Sequence, residues 1–418
     1  MILIIWGDNV LHSCYGIIMP RRENTPRENK PVTEKTATSA LGADIPGSRD
    51  KPLFTPGPLT TSATVKQAML RDLGSRDFVF METVRDIRGR LVALAQAEGK
   101  GYETVIMQGS GTFGIEACIA TFTPPGGKWL CAINGAYGKR FAAIANALGI
   151  STVEAVFPEN RRVDPGAVAQ ALQDNPDVTG VATVHCETTS GIMNPVEEIG
   201  ALAHAHGKRY FVDAMSSFGA VPLDVPGAHI DYLVSSANKC IEGVPGFSFA
   251  IVRKEALLEC RGWARSVCLD LLAQWEGLEK TGQFRFTPPT HALLAFHQAL
   301  KELDAEGGVP GRAARYRANH DTLVAGMRAM GFREFLDPGD QGCIITSFYY
   351  PEHPAFDFDT FYKLLNDNNC VIYPGKVGTA DCFRIGSIGR LFPPDFEALL
   401  GAIRRALTAM GVTLKEGS

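Results

Sequence analysis

The sequence has no Cys-x-x-Cys pair, no internal repeat and no uninterrupted apolar run of bilayer length. Each absence removes a class of protein. Ten cysteines are scattered without the spacing of a zinc site or a redox dithiol. Several of them (Cys118, Cys131, Cys240) sit inside apolar runs, which reads as buried free thiols in a reducing compartment. A disulfide framework is not expected in a chain of 418 residues. The opening stretch to Met19 is apolar, but Asp8 interrupts it. It has no basic leading segment and no small-residue cleavage site, so it is read neither as a signal peptide nor as a membrane span. Lys and Arg number 41 against 45 Asp and Glu, a net charge of -4. No basic excess exists to hold nucleic-acid phosphates or anionic lipid. His204 and His206 lie two apart on a helix, on different faces, and no other metal-ligand spacing occurs, so no metal is expected. The cytoplasm is the default location.

What is present is a composition 45% hydrophobic, enough for a large core and two or three domains. Residues 20 to 50 are rich in Pro, Arg, Glu, Asn, Thr and Ser and cannot bury enough surface to offset their ordering entropy. Residues 1–50 are therefore expected to be a disordered N-terminal extension, or the product of a start site assigned too far upstream. From about residue 100, short β-rich runs alternate with helical patterns: 104–108, 129–133, 152–156, 181–185, 210–214, 232–236 and 247–252 are the expected strands. The alternation predicts an α/β fold with a mainly parallel sheet covered by helices on both faces. A helix is expected after Asn194, with Pro195 at its first position. Beyond residue 300 the pattern changes to a charged helix over 312–330, the run CIITSFYY, a helix near 357–367 and a last helix from Pro394. The expected division is a large domain over 51–300 and a smaller α+β domain over 301–418.

Three segments carry chemistry. Gly109-Ser110-Gly111-Thr112-Phe113-Gly114 has the G-x-G-x-x-G spacing between a strand and a helix. A dinucleotide site would need an acidic residue about 20 positions on, where the chain has Asn134. Small residues and free N–H groups at a helix N-terminus suit a phosphate all the same; a plain tight turn is the alternative. Asp213 ends an apolar strand at the edge where open α/β sheets bind ligands, and an ordinary helix-capping Asp is the alternative there. Lys239 lies between small residues and a Gly/Pro loop. Desolvation in such a setting lowers a lysine pKa and makes its amine nucleophilic. Asp213 and Lys239 are one strand step apart and can face one crevice.

Taken together, TPGPLT (55–60), GSGT (109–112), NGAYG (134–138), HCETTSG (185–191), VDAMSSFG (212–219), SSANKCIEGVPGF (235–247), FRFTPPTH (284–291), YPGK (373–376) and FRIG (383–386) resemble the fold-type-I, class-V aminotransferases. Within them the chain is similar to the 2-aminoethylphosphonate–pyruvate transaminases, from about Lys51 to Thr413. The resemblance implies pyridoxal 5'-phosphate as cofactor, linked to Lys239, with Asp213 on its ring nitrogen. It places Tyr137 on the ring face, Thr188 near the ring oxygen, and Ser110, Gly111, Thr112 and Asn238 around the phosphate. It also implies a homodimer in which Thr287 reaches the neighbour's cofactor phosphate. Arg384 would grip the substrate's acidic group, and Pro56 and Gly57 would line the substrate mouth. The implied substrates are 2-aminoethylphosphonate and pyruvate. The alternatives are an alanine–glyoxylate or serine–pyruvate aminotransferase and, from another class, a nucleotide-binding protein using the GSGTFG turn. One departure is Phe78, in a stretch that is more acidic in the family. His185, ending a strand, is either beside the site or core packing.

Overall fold

The computed structural model describes residues 50–414 except 376 and 379. The expected extension over 1–50 lies outside the described residues apart from Asp50. Helices α1 (Ala63–Gln67) and α2 (Phe78–Leu94) come first. Then β1 (Tyr102–Gln108), α3 (Gly111–Phe122), β2 (Lys128–Ile133), α4 (Ala136–Ala147), β3 (Ser151–Val156), α5 (Pro165–Asp174) and β4 (Gly180–Val184) alternate as the sequence rhythm predicts. A short hairpin, β5 (Cys186–Glu187) with β6 (Ile192–Met193), precedes α6 (Val196–Ala205), β7 (Arg209–Asp213), β8 (Tyr232–Ser236) and β9 (Phe247–Arg253).

These strands form a seven-stranded sheet in the order β1-β9-β8-β7-β4-β2-β3. All neighbours are parallel except β9, which runs against both β8 and β1. The expected mainly parallel sheet is therefore present. Every residue of β4 (GVATV) and β8 (YLVSS) is buried, as a sheet covered on both faces requires. One face packs on α2, α5 and α6 through residues such as Ile87, Leu172 and Ile199. The other packs on α3 and α4 through Ile119, Phe122 and Phe141.

The chain continues through α7 (Lys254–Glu259), α8 (Leu271–Thr281), α9 (Thr290–Ala305) and α10 (Gly308–Ala329). It then builds β10 (Ile345–Tyr349), α11 (Phe358–Asp367), β11 (Tyr373–Pro374), β12 (Cys382–Gly386) and α12 (Pro393–Ala409). The last three strands form an antiparallel sheet ordered β10-β12-β11. Phe383 of β12 is buried among Phe332, Phe348 and Phe361, with centroids 5.7, 5.8 and 5.5 Å away. Truncating such a ring to alanine costs about 3–5 kcal/mol.

Two boundaries differ from the sequence reading. Pro195 is the N-cap of α6, and the helix starts at Val196. Helix α10 starts at Gly308, four residues before the expected Arg312; Pro310 sits in its first turn, where a missing N–H costs nothing. Residue 300 falls inside α9, whose Leu293, Phe296 and Leu300 belong to the large sheet's core. Among the described residues no helix is long and apolar enough to cross a membrane. The nine described cysteines are free, and all but Cys268 are buried.

Candidate active site

The parallel strands deliver their C-terminal ends to one edge of the sheet, and the residues singled out from the sequence gather there. Asp213 is the last residue of β7 and is 4% exposed. Its Oδ1 accepts the Met215 N–H at 2.9 Å, and it forms no ion pair among the described residues. Burial raises its pKa to about 6, while the Met215 hydrogen bond, Arg140 and Lys239 pull it down. Lys239 follows β8, three residues beyond the strand. Its Nζ donates to the Pro56 carbonyl at 2.7 Å. Burial lowers its pKa to about 8, against the pull of Cys240, Asp213 and Cys186. Desolvation thus drives both groups toward their neutral forms, the amine toward its nucleophilic one.

The loop from Thr55 to Pro58 lies on Lys239. Gly57 has φ +126°, and a Cβ there would fall 2.7 Å from Lys239 Nζ and 2.8 Å from its Cδ. Only glycine meets both conditions. Gly57→Ala should displace the amine and lower turnover by about 10²-fold, as sub-ångström misplacement of a reacting group does. Far-ultraviolet dichroism should stay native, because the loop lies outside the helices. Turnover within twofold of the parent would show that Lys239 is not held by this loop.

At the end of β1, the GSGTFG turn leads into α3. Ser110 is its N-cap, yet its hydroxyl makes no capping bond. The N–H groups of Gly111, Thr112 and Phe113 open the helix and by helix geometry have no intrahelical acceptor. Arg140 Nη1 donates to Thr112 Oγ1 at 3.3 Å, and its guanidinium lies 4.7 Å from the Tyr137 ring centroid. Asn134 donates to the Arg161 carbonyl and to Asn194. It is a structural tie and offers no ribose contact, which removes the support for the dinucleotide reading.

Tyr137 sits in the first turn of α4, whose N-terminus is capped from a distance. Glu187, fully buried, accepts the N–H groups of Tyr137 and Gly138 at 3.2 Å each. Thr189 donates its hydroxyl to Glu187 at 2.6 Å and accepts the Ala136 N–H at 2.8 Å. Burial pushes the Glu187 carboxyl up, and the Thr189 and Gly138 bonds offset this. A Cβ on Gly135 would lie 2.4 Å from Glu187, so the fit demands glycine. Thr188, between the two capping residues, is buried and offers its carbonyl to Arg384 Nη1 at 2.6 Å.

Arg384, on β12, comes from the small sheet and is fully buried. Its Nε and Nη2 donate to the Pro374 carbonyl at 3.0 and 2.9 Å. The Tyr373 ring lies 5.0 Å from the guanidinium. Burial lowers the Arg384 pKa; Tyr137, Tyr373 and Glu187 act against it. His185 lies just past β4. Its N–H donates to the Asp213 carbonyl at 2.8 Å, and its Nδ1 is 3.0 Å from Ser217 Oγ. Burial lowers its pKa to about 4, so it is neutral near pH 7.

Not every candidate converges equally. Asn238 is half-buried beside Lys239, and no hydrogen bond engages its side chain among the described residues. Thr287 is exposed; its carbonyl and that of Phe286 accept Gln108 Nε2 at 3.2 and 3.0 Å, next to the GSGTFG turn. Phe78, at the start of α2, is 82% exposed. The sequence reading missed Glu187, Thr189 and Arg140. HCETTSG and NGAYGKR contain all three, but only the fold brings Glu187 to a helix start fifty residues upstream.

Residues 61–379 match the family model described as aminotransferase class-V. The 2-aminoethylphosphonate–pyruvate transaminase of Syntrophobacter fumaroxidans is 52% identical over 360 residues, 86% of this chain and 97% of that protein. The enzyme of the same name from Salmonella typhimurium is 51% identical over 362 residues, 86% of this chain and 98% of its own length. Among solved structures, pyridoxamine–pyruvate aminotransferase from Mesorhizobium loti superposes with a TM-score of 0.81 at 27% identity, covering 89% of this chain and 96% of that one. Alanine–glyoxylate aminotransferase from Nostoc sp. gives 0.80 at 23% identity, covering 87% of this chain and 97% of that one, a likeness of fold. With the sheet, the site edge and the family model in agreement, this chain belongs to the class-V aminotransferase family.

Proposed function

We propose that this protein is a pyridoxal-phosphate-dependent transaminase that takes the amino group of 2-aminoethylphosphonate to pyruvate, yielding phosphonoacetaldehyde and alanine. The observation that carries the reading is the meeting of three groups at one sheet edge. They are a lysine whose burial lowers its pKa to about 8, a buried carboxylate with no ion-pair partner among the described residues, and a buried arginine. The near full-length likeness to transaminases of that name supports the substrate.

The residues present fit the cofactor. Asp213 would hold a protonated ring nitrogen, which supplies the charge its buried carboxylate lacks. The α3 N-terminus, with Ser110 Oγ uncommitted to capping, would hold the phosphate through Ser110, Gly111 and Thr112, with Asn238 nearby. Tyr137 would cover the ring and Thr188 would flank it. When bound, the cofactor supplies the electron sink that acidifies the carbon bearing the amino group. The chain does the rest. Lys239 Nζ, with its lowered pKa, accepts the proton from that carbon and returns it later in the cycle. Arg384 holds the substrate's anion, its plane fixed by the Pro374 and Thr188 carbonyls. A guanidinium pairs with carboxylate as well as phosphonate, so one residue serves both substrates. Pro56 and Gly57 line the mouth and hold the lysine.

We also propose a homodimer in which Thr287 completes the neighbour's phosphate site. Its exposed side chain and the exposed Phe286 and Phe113 beside the turn support this. Residues 51–300 would form the large cofactor-binding domain and 301–418 the smaller one carrying Arg384, with α9 running across the boundary to residue 305.

The test is kcat/KM for 2-aminoethylphosphonate, alanine, serine and taurine as donors, with pyruvate or glyoxylate as acceptor. The phosphonate with pyruvate should exceed every other pair by about tenfold or more, since a site that binds a charged group through fixed hydrogen bonds penalises donors lacking it. Equal or better values for alanine or serine would overturn the substrate and leave the transaminase reading standing.

A further inference from the structure

Lys239 follows a strand of the seven-stranded sheet, and Arg384 belongs to the three-stranded one. Among the described residues no strand pairing links the two sheets. The Arg384 guanidinium reaches the Thr188 carbonyl directly, and helix α10 ties together the loops that follow Lys239 and Arg384. Arg312, Arg315, Tyr316 and Asn319 follow one another at helical spacing along one face. Toward the lysine loop, Arg315 Nη2 and Tyr316 Oη each donate to Glu242 Oε1 at 2.7 Å. Arg312 Nη1 donates to the Cys240 carbonyl. Toward the loop that follows Arg384, Asn319 Nδ2 donates to the Ser387 and Leu391 carbonyls at 3.1 and 3.0 Å. Arg315 Nη1 reaches the Leu391 carbonyl at 3.0 Å.

One atom joins both sides. Tyr316 Oη donates to Glu242 and accepts the Gly389 N–H at 3.1 Å. Glu242 lies three residues after Lys239, and its N–H donates to the Lys239 carbonyl at 2.7 Å. Gly389 lies five residues after Arg384. Tyr316 and Arg312 are 0% exposed and Glu242 2%. Glu306 binds both arginines, at 2.9 and 2.7 Å, and balances the charge. Glu242 is held at φ +66°, a conformation rare outside glycine. Buried ionic networks contribute little stability over apolar packing, and their best-attested use is to fix register. Strained backbone persists where its surroundings over-determine it.

We propose that the Tyr316–Glu242–Arg315 bridge sets the separation between Lys239 and Arg384 and thereby selects the length of the amino donor. This rests on the transaminase reading above. Tyr316, Glu242 and Arg315 are positioning residues, since they act through the two loops and not on substrate.

The experiment compares kcat/KM for aminomethyl-, 2-aminoethyl- and 3-aminopropylphosphonate in the parent, Tyr316→Phe and Glu242→Gln enzymes. Melting temperature and cofactor affinity, by absorbance titration, are measured alongside. In the variants the two-carbon donor should lose about 10- to 100-fold while the three-carbon donor changes little, so their ratio contracts about tenfold or more. Cofactor affinity should stay within about twofold, because the phosphate and ring contacts lie on the large sheet. A parallel fall for all three donors at constant ratio would overturn the proposal and leave the bridge a stabilising element. If Tyr316→Phe does not fold, Glu242→Gln decides, since it keeps the side-chain shape and an acceptor oxygen. A parent enzyme inactive on all three phosphonates but active on another donor would refute the proposed substrate alone. The bridge is then judged by the same ratio on that donor and its one-methylene homologues.

Discussion

Replacing Lys239 with alanine is expected to cut turnover by about 10³-fold or more while leaving the fold intact. In the proposed reaction the side chain carries the proton, and positioned proton transfer contributes roughly 10²–10⁴-fold. Its burial pulls its pKa to about 8, so about a tenth is unprotonated at pH 7, far more than for an exposed lysine. Loss of the side chain removes the Pro56 contact and little packing, and cofactor should still bind through the Asp213 and α3 contacts. Reduction of the cofactor-loaded parent with borohydride, followed by peptide mapping, should put the label on Lys239. A label on another lysine, or near-parental turnover in Lys239→Ala, would remove the basis of the assignment.

Asp213→Asn should separate function from stability in opposite directions. A neutral amide cannot hold a ring nitrogen protonated, and losing one preorganised charge of this kind costs about 10²–10³-fold in turnover. The cofactor-free protein should respond in the reverse sense. The Asp213 carboxyl titrates near pH 6 when folded, against 3.8 as its ordinary value. The folded state therefore binds the proton more tightly between those pH values. Stability falls as pH rises from about 4 to 6, and the loss, roughly 3 kcal/mol for a shift of about two units, is fully present above pH 6. The amide of the variant cannot ionise and escapes it. Cofactor-free Asp213→Asn should be more resistant to urea than the parent at pH 8 and similar to it at pH 4. Identical urea midpoints at pH 8, or parental turnover with cofactor retained, would contradict this account.

Much of the site can be read from the chain itself. Asp213 stands out as a polar residue ending an apolar strand, and Lys239 as a lysine set between small residues and a Gly/Pro loop just past one; both are local features. The GSGTFG turn marks a helix start for the same reason. The alternation of short apolar runs with helices determines a mainly parallel sheet, since such strands pair only through crossovers that cover both faces. Local pattern also accounts for the misplaced start of α10: glycine and proline at 307–311 read as loop, but the first helical turn tolerates both.

Contacts between residues far apart in sequence were decided only by the tertiary structure. Nothing near Tyr137 announces that Glu187 and Thr189 cap its helix from fifty residues away. Nor does the charged pattern of α10 distinguish Arg312, Arg315 and Tyr316 from surface residues, although Arg312 and Tyr316 are fully enclosed. Periodicity reports which face of a helix is apolar, and it cannot report a buried face of charges whose partner Glu242 lies over seventy residues away. The chemistry of each group was set by its residue type, with Asp213 at a strand end and Lys239 just past one. The contacts that join the loops after Lys239 and Arg384 were decided only in the closed chain, because hydrogen-bond geometry between distant loops exists only once the chain has folded on itself.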